Sequence, residues 1–471
     1  MKRYEALAQE IVESIASGAF RPGDRLPSVR ETSESRGVSP STVFQAYYLL
    51  EARGLVEPRA RSGYFVSHVS AAQAEPAASE PPASERQVEV SELVFQVLGH
   101  VRDRKLVPLG SAFPSPSLFP LPKVALALGK AARNLDPWKT VEDLTPGSAG
   151  LRRQIGLRYL AMGCSVDVQE VVITNGAMEA LNLCLETVTK PGDLVAVESP
   201  TFYAALQALE RLNLRAVEVA THPRTGVDVP ALAAVLERHP VKACWLMPNF
   251  QNPLGSLMPD AVKQELVALL ARQEIPLIED DVYGELYFGP HKPRPAKTWD
   301  KKGLVMHCSS FSKNLAPGYR VGWTAAGRFA SAVGKRKLMS SLSASVPAQE
   351  GLSDYLQGGG YDRHLRQLRQ ALAEQRRTVV RSISRHFPAG TKVTQPEGGY
   401  FVWVELPQGV DALELHRLAL SQDISVAPGH LFSADQRFSH HLRINFGHPE
   451  NKKVEEALRT VGKIARALLA K

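Results

Sequence analysis

Leu304-Val305-Met306-His307-Cys308-Ser309-Ser310-Phe311-Ser312-Lys313-Asn314-Leu315-Ala316-Pro317-Gly318-Tyr319-Arg320-Val321-Gly322-Trp323 is the stretch that decides how this chain folds. Its apolar opening reads as a buried strand. A serine-rich turn follows, then Lys313, then a Pro-Gly turn that carries Arg320. Hydroxyls at Ser310 and Ser312, free backbone N–H groups and a nearby cation together suit a phosphate. A lysine held beside that phosphate is placed to condense with an aldehyde cofactor. Burial and a cationic neighbour lower its pKa and leave more free amine for the reaction.

Working outward, 471 residues exceed what one hydrophobic core organises, so two or more domains are expected. The content of 44% hydrophobic and 22% charged residues is that of a globular protein. No apolar run approaches the roughly 18 residues of a membrane span. The N-terminus leads into an amphipathic pattern, which argues against a signal peptide and for a cytoplasmic protein. Cys164, Cys184, Cys244 and Cys308 lie far apart without metal-ligand spacing and read as reduced core residues. Residues 91–471 alternate apolar strands with amphipathic helices, which predicts an α/β fold with a mainly parallel sheet. Residues 69–90 hold Ala, Pro, Ser and Glu with almost no large apolar residue, so a flexible linker is expected there.

Residues 1–68 read differently. Tyr4, Leu7, Ala8, Ile11, Val12 and Ile15 recur at helical spacing before Gly18. Ser28 and Glu31 fit a capping box for a second helix that stops at Gly37. Ser39 and Pro40 open a third, running to about Ala52. Two short strands follow around Arg59-Ala60-Arg61-Ser62-Gly63. Three helices and a β-wing make a winged helix-turn-helix, whose third helix enters the major groove of double-stranded DNA N-terminus first. Ser41 and Thr42 stand at its leading end, and Arg30, Arg59, Arg61 and Gly63 mark the phosphate-gripping turn and wing. Nine basic residues against eight acidic ones leave this segment near +1 of the chain's net +8, so it is not basic in bulk.

The lysine stretch resembles that of the fold-type I aminotransferases, which use pyridoxal phosphate, and the resemblance implies a large domain on a mainly parallel sheet with a smaller α+β domain. Other stretches resemble the same family in its chain order. In Ile173-Thr174-Asn175-Gly176-Ala177 a strand passes into a helix, and Gly176 and Ala177 offer N–H groups to the cofactor phosphate. Glu198-Ser199-Pro200-Thr201-Phe202-Tyr203 supplies an aromatic for the pyridine face, with Phe202 preferred and Tyr203 second. Asn252, in Gln251-Asn252-Pro253-Leu254-Gly255, takes the family's role of bonding the ring hydroxyl. In Ile278-Glu279-Asp280-Asp281-Val282-Tyr283, the resemblance gives Asp280 the pyridine nitrogen and Tyr283 the ring hydroxyl. Asp281 remains the alternative if the register slips by one. Arg443, on a short alternating strand, matches the arginine that grips a substrate carboxylate.

Residues 1–68 are similar throughout to the GntR family of bacterial regulators, although Phe44 stands where relatives often carry a basic residue. A GntR-type head joined to an aminotransferase-like body is the layout of the MocR subgroup. That resemblance implies a transcriptional regulator that holds pyridoxal phosphate on Lys313 and senses the cofactor or an amino compound. It also implies a head-to-tail homodimer. A working aminotransferase with an appended DNA-binding head is the alternative.

Overall fold

Local signals build the first part of the chain. Ser28 Oγ accepts from Glu31 N while Glu31 Oε2 accepts from Ser28 N, so the predicted capping box starts the helix Val29–Arg36. Gly37 ends that helix at φ +61°, and Pro40–Ala52 follows. With Arg3–Ala16 and the antiparallel pair Val56–Arg59 and Gly63–Val66, these elements form a winged helix-turn-helix. Leu7, Ala8, Ile11, Leu26, Val43, Ala46, Tyr47, Leu50, Val56 and Val66 are its core. Tyr47 is buried there with its hydroxyl donating to Pro27 O at 2.7 Å. The computed structural model describes residues 3–21, 23–52, 55–59, 62–66, 74–99, 105–449 and 452–470, in two units, Met1–Ala74 and Glu75–Lys471. Arg30 is exposed and paired with Glu34, and Ser39 Oγ ties Ser41 and Thr42 together at the start of the third helix. Arg59 ends the first wing strand opposite Gly63, whereas Arg61 lies outside the described residues.

The second unit is built on a nine-stranded sheet. Its order is Arg86–Gln87, Arg215–His222, Leu194–Ser199, Val241–Leu246, Leu277–Asp280, Val305–Ser310, Gly322–Ala325, Val171–Thr174, with Gly226–Val227 hairpinned onto Arg215–His222. The five strands from Arg215–His222 to Val305–Ser310 are parallel, and Gly322–Ala325 runs against both of its neighbours. Near-continuous apolar strands suit a sheet buried on both faces, and separate cores cover the two sides. A four-stranded antiparallel sheet carries the C-terminal part, ordered Lys392–Val393, Phe401–Glu405, His441–Asn445, Ala427–Pro428. Among the described residues no helix is long and apolar enough to cross a membrane, and all four cysteines are buried and free.

The stretch expected to be a flexible linker differs from that expectation over residues 75–90. Glu75 pairs with Arg224 and accepts from Gln395 N, and Ser79 Oγ donates to Ser199 O. Glu85 pairs with Arg215, Arg86–Gln87 adds an antiparallel strand to the sheet edge, and Val88 and Val90 are buried. The physical reason is backbone pairing: an edge strand offers unpaired N–H and C=O groups to any extended segment, whatever its side chains. Residues 69–73 lie outside the described residues.

Candidate functional site

The strand ends Leu277–Asp280 and Val305–Ser310 stop side by side, which puts Asp280 and the turn bearing Lys313 at the carboxyl edge of the parallel sheet. Asp280 is fully buried, and its Oδ1 has no hydrogen-bond partner among the described residues. Burial, and next the charge of Asp281, push its pKa up to about 7. Asp281 is fully engaged instead. It accepts from Asn249 Nδ2 at 3.1 Å and from His307 Nε2 at 3.0 Å. His307 Nδ1 faces the Tyr159 hydroxyl at 2.6 Å, and that hydroxyl accepts from Trp323 Nε1 at 3.0 Å. The Asp281 carboxylate accepts from Nε2, so Nε2 carries a proton, and in the neutral ring Nδ1 is left to accept from the Tyr159 hydroxyl.

Lys313 Nζ donates to Ala112 O at 2.9 Å and sits 3.6 Å from the centre of the Phe113 ring. Loss of hydration, and next the positive charge of Arg443, lower its pKa to about 7, against the opposing pull of Asp280. Arg443, on His441–Asn445, is completely buried. Its Nη1 donates to Asn252 Oδ1 at 3.1 Å and its Nη2 to Gly110 O at 2.7 Å, while Nε has no partner among the described residues. The guanidinium lies 4.3 Å from the Phe401 ring centre and 5.2 Å from that of Phe432. Asn252 Nδ2 is likewise buried and without a partner there. Tyr283 is buried edge-on to Tyr400 and Phe401, and burial raises its hydroxyl pKa. Phe202 caps the helix Tyr203–Arg211 and stays half-buried, whereas Tyr203 points inward beside Phe432.

A second cluster adjoins this one. Gly176, at φ +86°, begins the helix Ala177–Val188, whose first N–H groups are free of helical partners. Arg320, itself at φ +51°, donates from Nη2 to Asn175 O at 3.0 Å and from Nη1 to Ser312 Oγ at 3.2 Å. Ser312 N in turn donates to Ser310 Oγ at 3.3 Å. The structure thus brings Asp280, Lys313, Asn252, Tyr283 and Arg443 together in one cluster and Gly176, Ala177, Ser310, Ser312 and Arg320 in the other, while Phe202 reaches the first only through its contact with Tyr203. Ala112, Phe113, His307, Tyr159 and Tyr400 were given no role from the sequence, although the aromatic pair Tyr400-Phe401 after two glycines is a sequence signal. Gly176→Ala is expected to destabilise the protein by about 2 kcal/mol or more in a thermal melt. The added Cβ would stand 2.4 Å from Arg320 Nη2 at a positive φ. An unchanged melting temperature would contradict this packing.

Residues 137–461 match the family model of aminotransferase class I and II, and residues 3–66 that of the gntR family of bacterial regulatory proteins. Over 469 residues, 100% of each chain, the protein is 46% identical to YdcR, an uncharacterized HTH-type transcriptional regulator of Escherichia coli. The chain belongs to the MocR-type regulators of the gntR family. The regulator is also 39% identical to YjiR, another such regulator of that organism, across 98% of each chain. Its body resembles the crystal structure of LysN, an α-aminoadipate aminotransferase of Thermus thermophilus complexed with N-(5'-phosphopyridoxyl)-L-leucine. The TM-score is 0.72 at 28% identity, covering 81% of the regulator and 100% of LysN. The body therefore belongs to a fold family whose cofactor is pyridoxal phosphate.

Proposed function

We propose that the regulator binds double-stranded operator DNA through its head and holds pyridoxal phosphate on Lys313, sensing the cofactor or an amino compound that competes for it. The observation that carries this reading is the gathering of Asp280, Asn252, Lys313 and Arg443, three of which keep a buried atom with no partner among the described residues, Asp280 Oδ1, Asn252 Nδ2 and Arg443 Nε. Buried polar atoms without partners are expensive, and a bound polar ring and carboxylate would satisfy them. The helix start at Gly176 and Ala177, with Ser310, Ser312 and Arg320, suits a phosphate. Asp280 would face the ring nitrogen, Asn252 and Tyr283 the ring hydroxyl, and Phe202, with Tyr203 second, the ring face. When bound, pyridoxal phosphate supplies an aldehyde for amines and a ring that withdraws electrons. The chain's own part is to offer Lys313 as a free amine, to hold a carboxylate with Arg443, and to keep a carboxylate at Asp280.

We further read the regulator as a cytoplasmic head-to-tail homodimer. Leu126, Trp138, Val141, Leu157, Leu160 and Met339 are large apolar side chains left exposed on the body, which supports burial against a second copy. A ligand shifts DNA binding only if it favours one of two arrangements of the protein. DNA selection with the full-length protein, with and without pyridoxal phosphate and candidate amines, is expected to return a preferred sequence whose affinity the ligand changes. No preferred sequence, or identical affinity under every condition, would overturn the reading. Aminotransferase activity is a second reading, favoured by Arg443 standing beside both Asn252 and Lys313. Steady turnover of an amino donor with a keto acid would promote it.

A further inference from the structure

The third helix of the head, Pro40–Ala52, turns Val43, Ala46, Tyr47 and Leu50 inward to the core. Its opposite side presents Ser41, Phe44, Gln45 and Tyr48 to solvent, with Phe44 57% and Tyr48 67% exposed. The core of this small unit is complete without those two rings, so their exposure has no structural explanation within the head. From Pro40 to Leu50 the helix carries no charged residue at all. An arginine or lysine is the usual partner of guanine in the major groove, and this helix has none over that span. What it offers instead is an aromatic face, which suits the thymine C5-methyl group, and a carboxamide, which suits the N6 and N7 edge of adenine.

We propose that Phe44 and Gln45 read thymine–adenine pairs in the operator, Phe44 against a thymine methyl and Gln45 against an adenine edge. The proposal rests on the DNA-binding reading above and deepens it. The hydroxyls of Ser39, Ser41 and Thr42, already tied to one another at the helix start, set the helix on a phosphate next to those bases. The charge that grips the phosphates comes from elsewhere, with exposed Arg30 on the preceding helix as one source.

The test uses the full-length protein and its selected duplex at one fixed moderate salt concentration. Each thymine is replaced in turn by deoxyuridine, which removes the methyl group and nothing else. At one or two positions per half-site the swap is expected to weaken wild-type binding about fourfold, the worth of one buried methyl group. Phe44→Ala should bind the thymine duplex about tenfold more weakly and be indifferent to the swap at those positions. Because Phe44 is exposed, the variant should melt as the wild type does. Phe44→Arg should move the preference at the same position toward guanine. Wild-type binding that ignores deoxyuridine at every position would overturn the proposal while leaving DNA binding intact. So would Phe44→Ala binding as tightly as wild type, which would assign the aromatic pair to a protein partner. A selection that returns no sequence would defeat the DNA-binding reading itself.

Discussion

Lys313→Ala is expected to abolish retention of pyridoxal phosphate after desalting, leaving a colourless protein that still melts cooperatively. The residue keeps some exposure to solvent, and its amine donates to Ala112 O beside the Phe113 ring, so its truncation should cost the fold little. The same residue sets a pH dependence. Only the neutral amine attacks an aldehyde, and burial and Arg443 bring its pKa down to about 7. Uptake by the wild type should therefore rise about tenfold between about pH 6 and about pH 8 and then level off. An ordinary lysine, titrating near 10.4, would keep gaining rate well beyond that range. Colour formation followed by absorbance over a pH series separates the two.

Asp280→Asn is expected to act in opposite directions on stability and on ligand binding. The folded-state pKa of Asp280 is raised to about 7. Its favourable contribution is therefore fully present below the unfolded value near 3.9 and is lost as pH rises toward 7. Removing the charge should stabilise the ligand-free protein above pH 7 by something on the order of 3–4 kcal/mol, and not at all near pH 3. Affinity for pyridoxal phosphate should fall on the order of a hundredfold or more, since breaking a buried charge pair costs about 3–5 kcal/mol. Asp281→Asn is the contrasting control. Asp281 already accepts from His307 and Asn249, so its substitution should lower stability with or without the cofactor. Melting curves at two pH values and a cofactor titration distinguish the adjacent carboxylates.

That distinction could not be read from residues 280 and 281 alone. Adjacent strand residues point to opposite faces, and what tells these two apart is His307 on the neighbouring strand, together with Tyr159 and Trp323 behind it. Signals confined to a few residues were legible. Ser28 with Glu31, Gly37 at the helix end and Gly176 at the strand-to-helix junction each do what their local chemistry dictates. The lysine turn was legible for the same reason, because Ser310, Ser312, Lys313 and Arg320 lie within one short stretch. Contacts between distant segments were not. Ala112 and Phe113 come over Lys313 because Asn445 Nδ2 holds the carbonyls of Ser111 and Phe113, at 2.9 and 2.7 Å. Residues 75–90 attach to the body through Arg224, Arg215 and a strand edge, none of which their own composition announces. Phe202 and Tyr203 divide by environment as well, one half-buried at a helix start and the other inside against Phe432.

Everything proposed for the body depends on the ε-amine of Lys313 being the group that captures the cofactor. Full-length protein incubated with excess pyridoxal phosphate, reduced with borohydride, digested and mapped by mass spectrometry tests it directly. One phosphopyridoxyl tag per chain is expected, on the peptide containing Lys313. A protein that takes up no tag, or that carries it on surface lysines with Lys313 unmodified, would contradict that assignment.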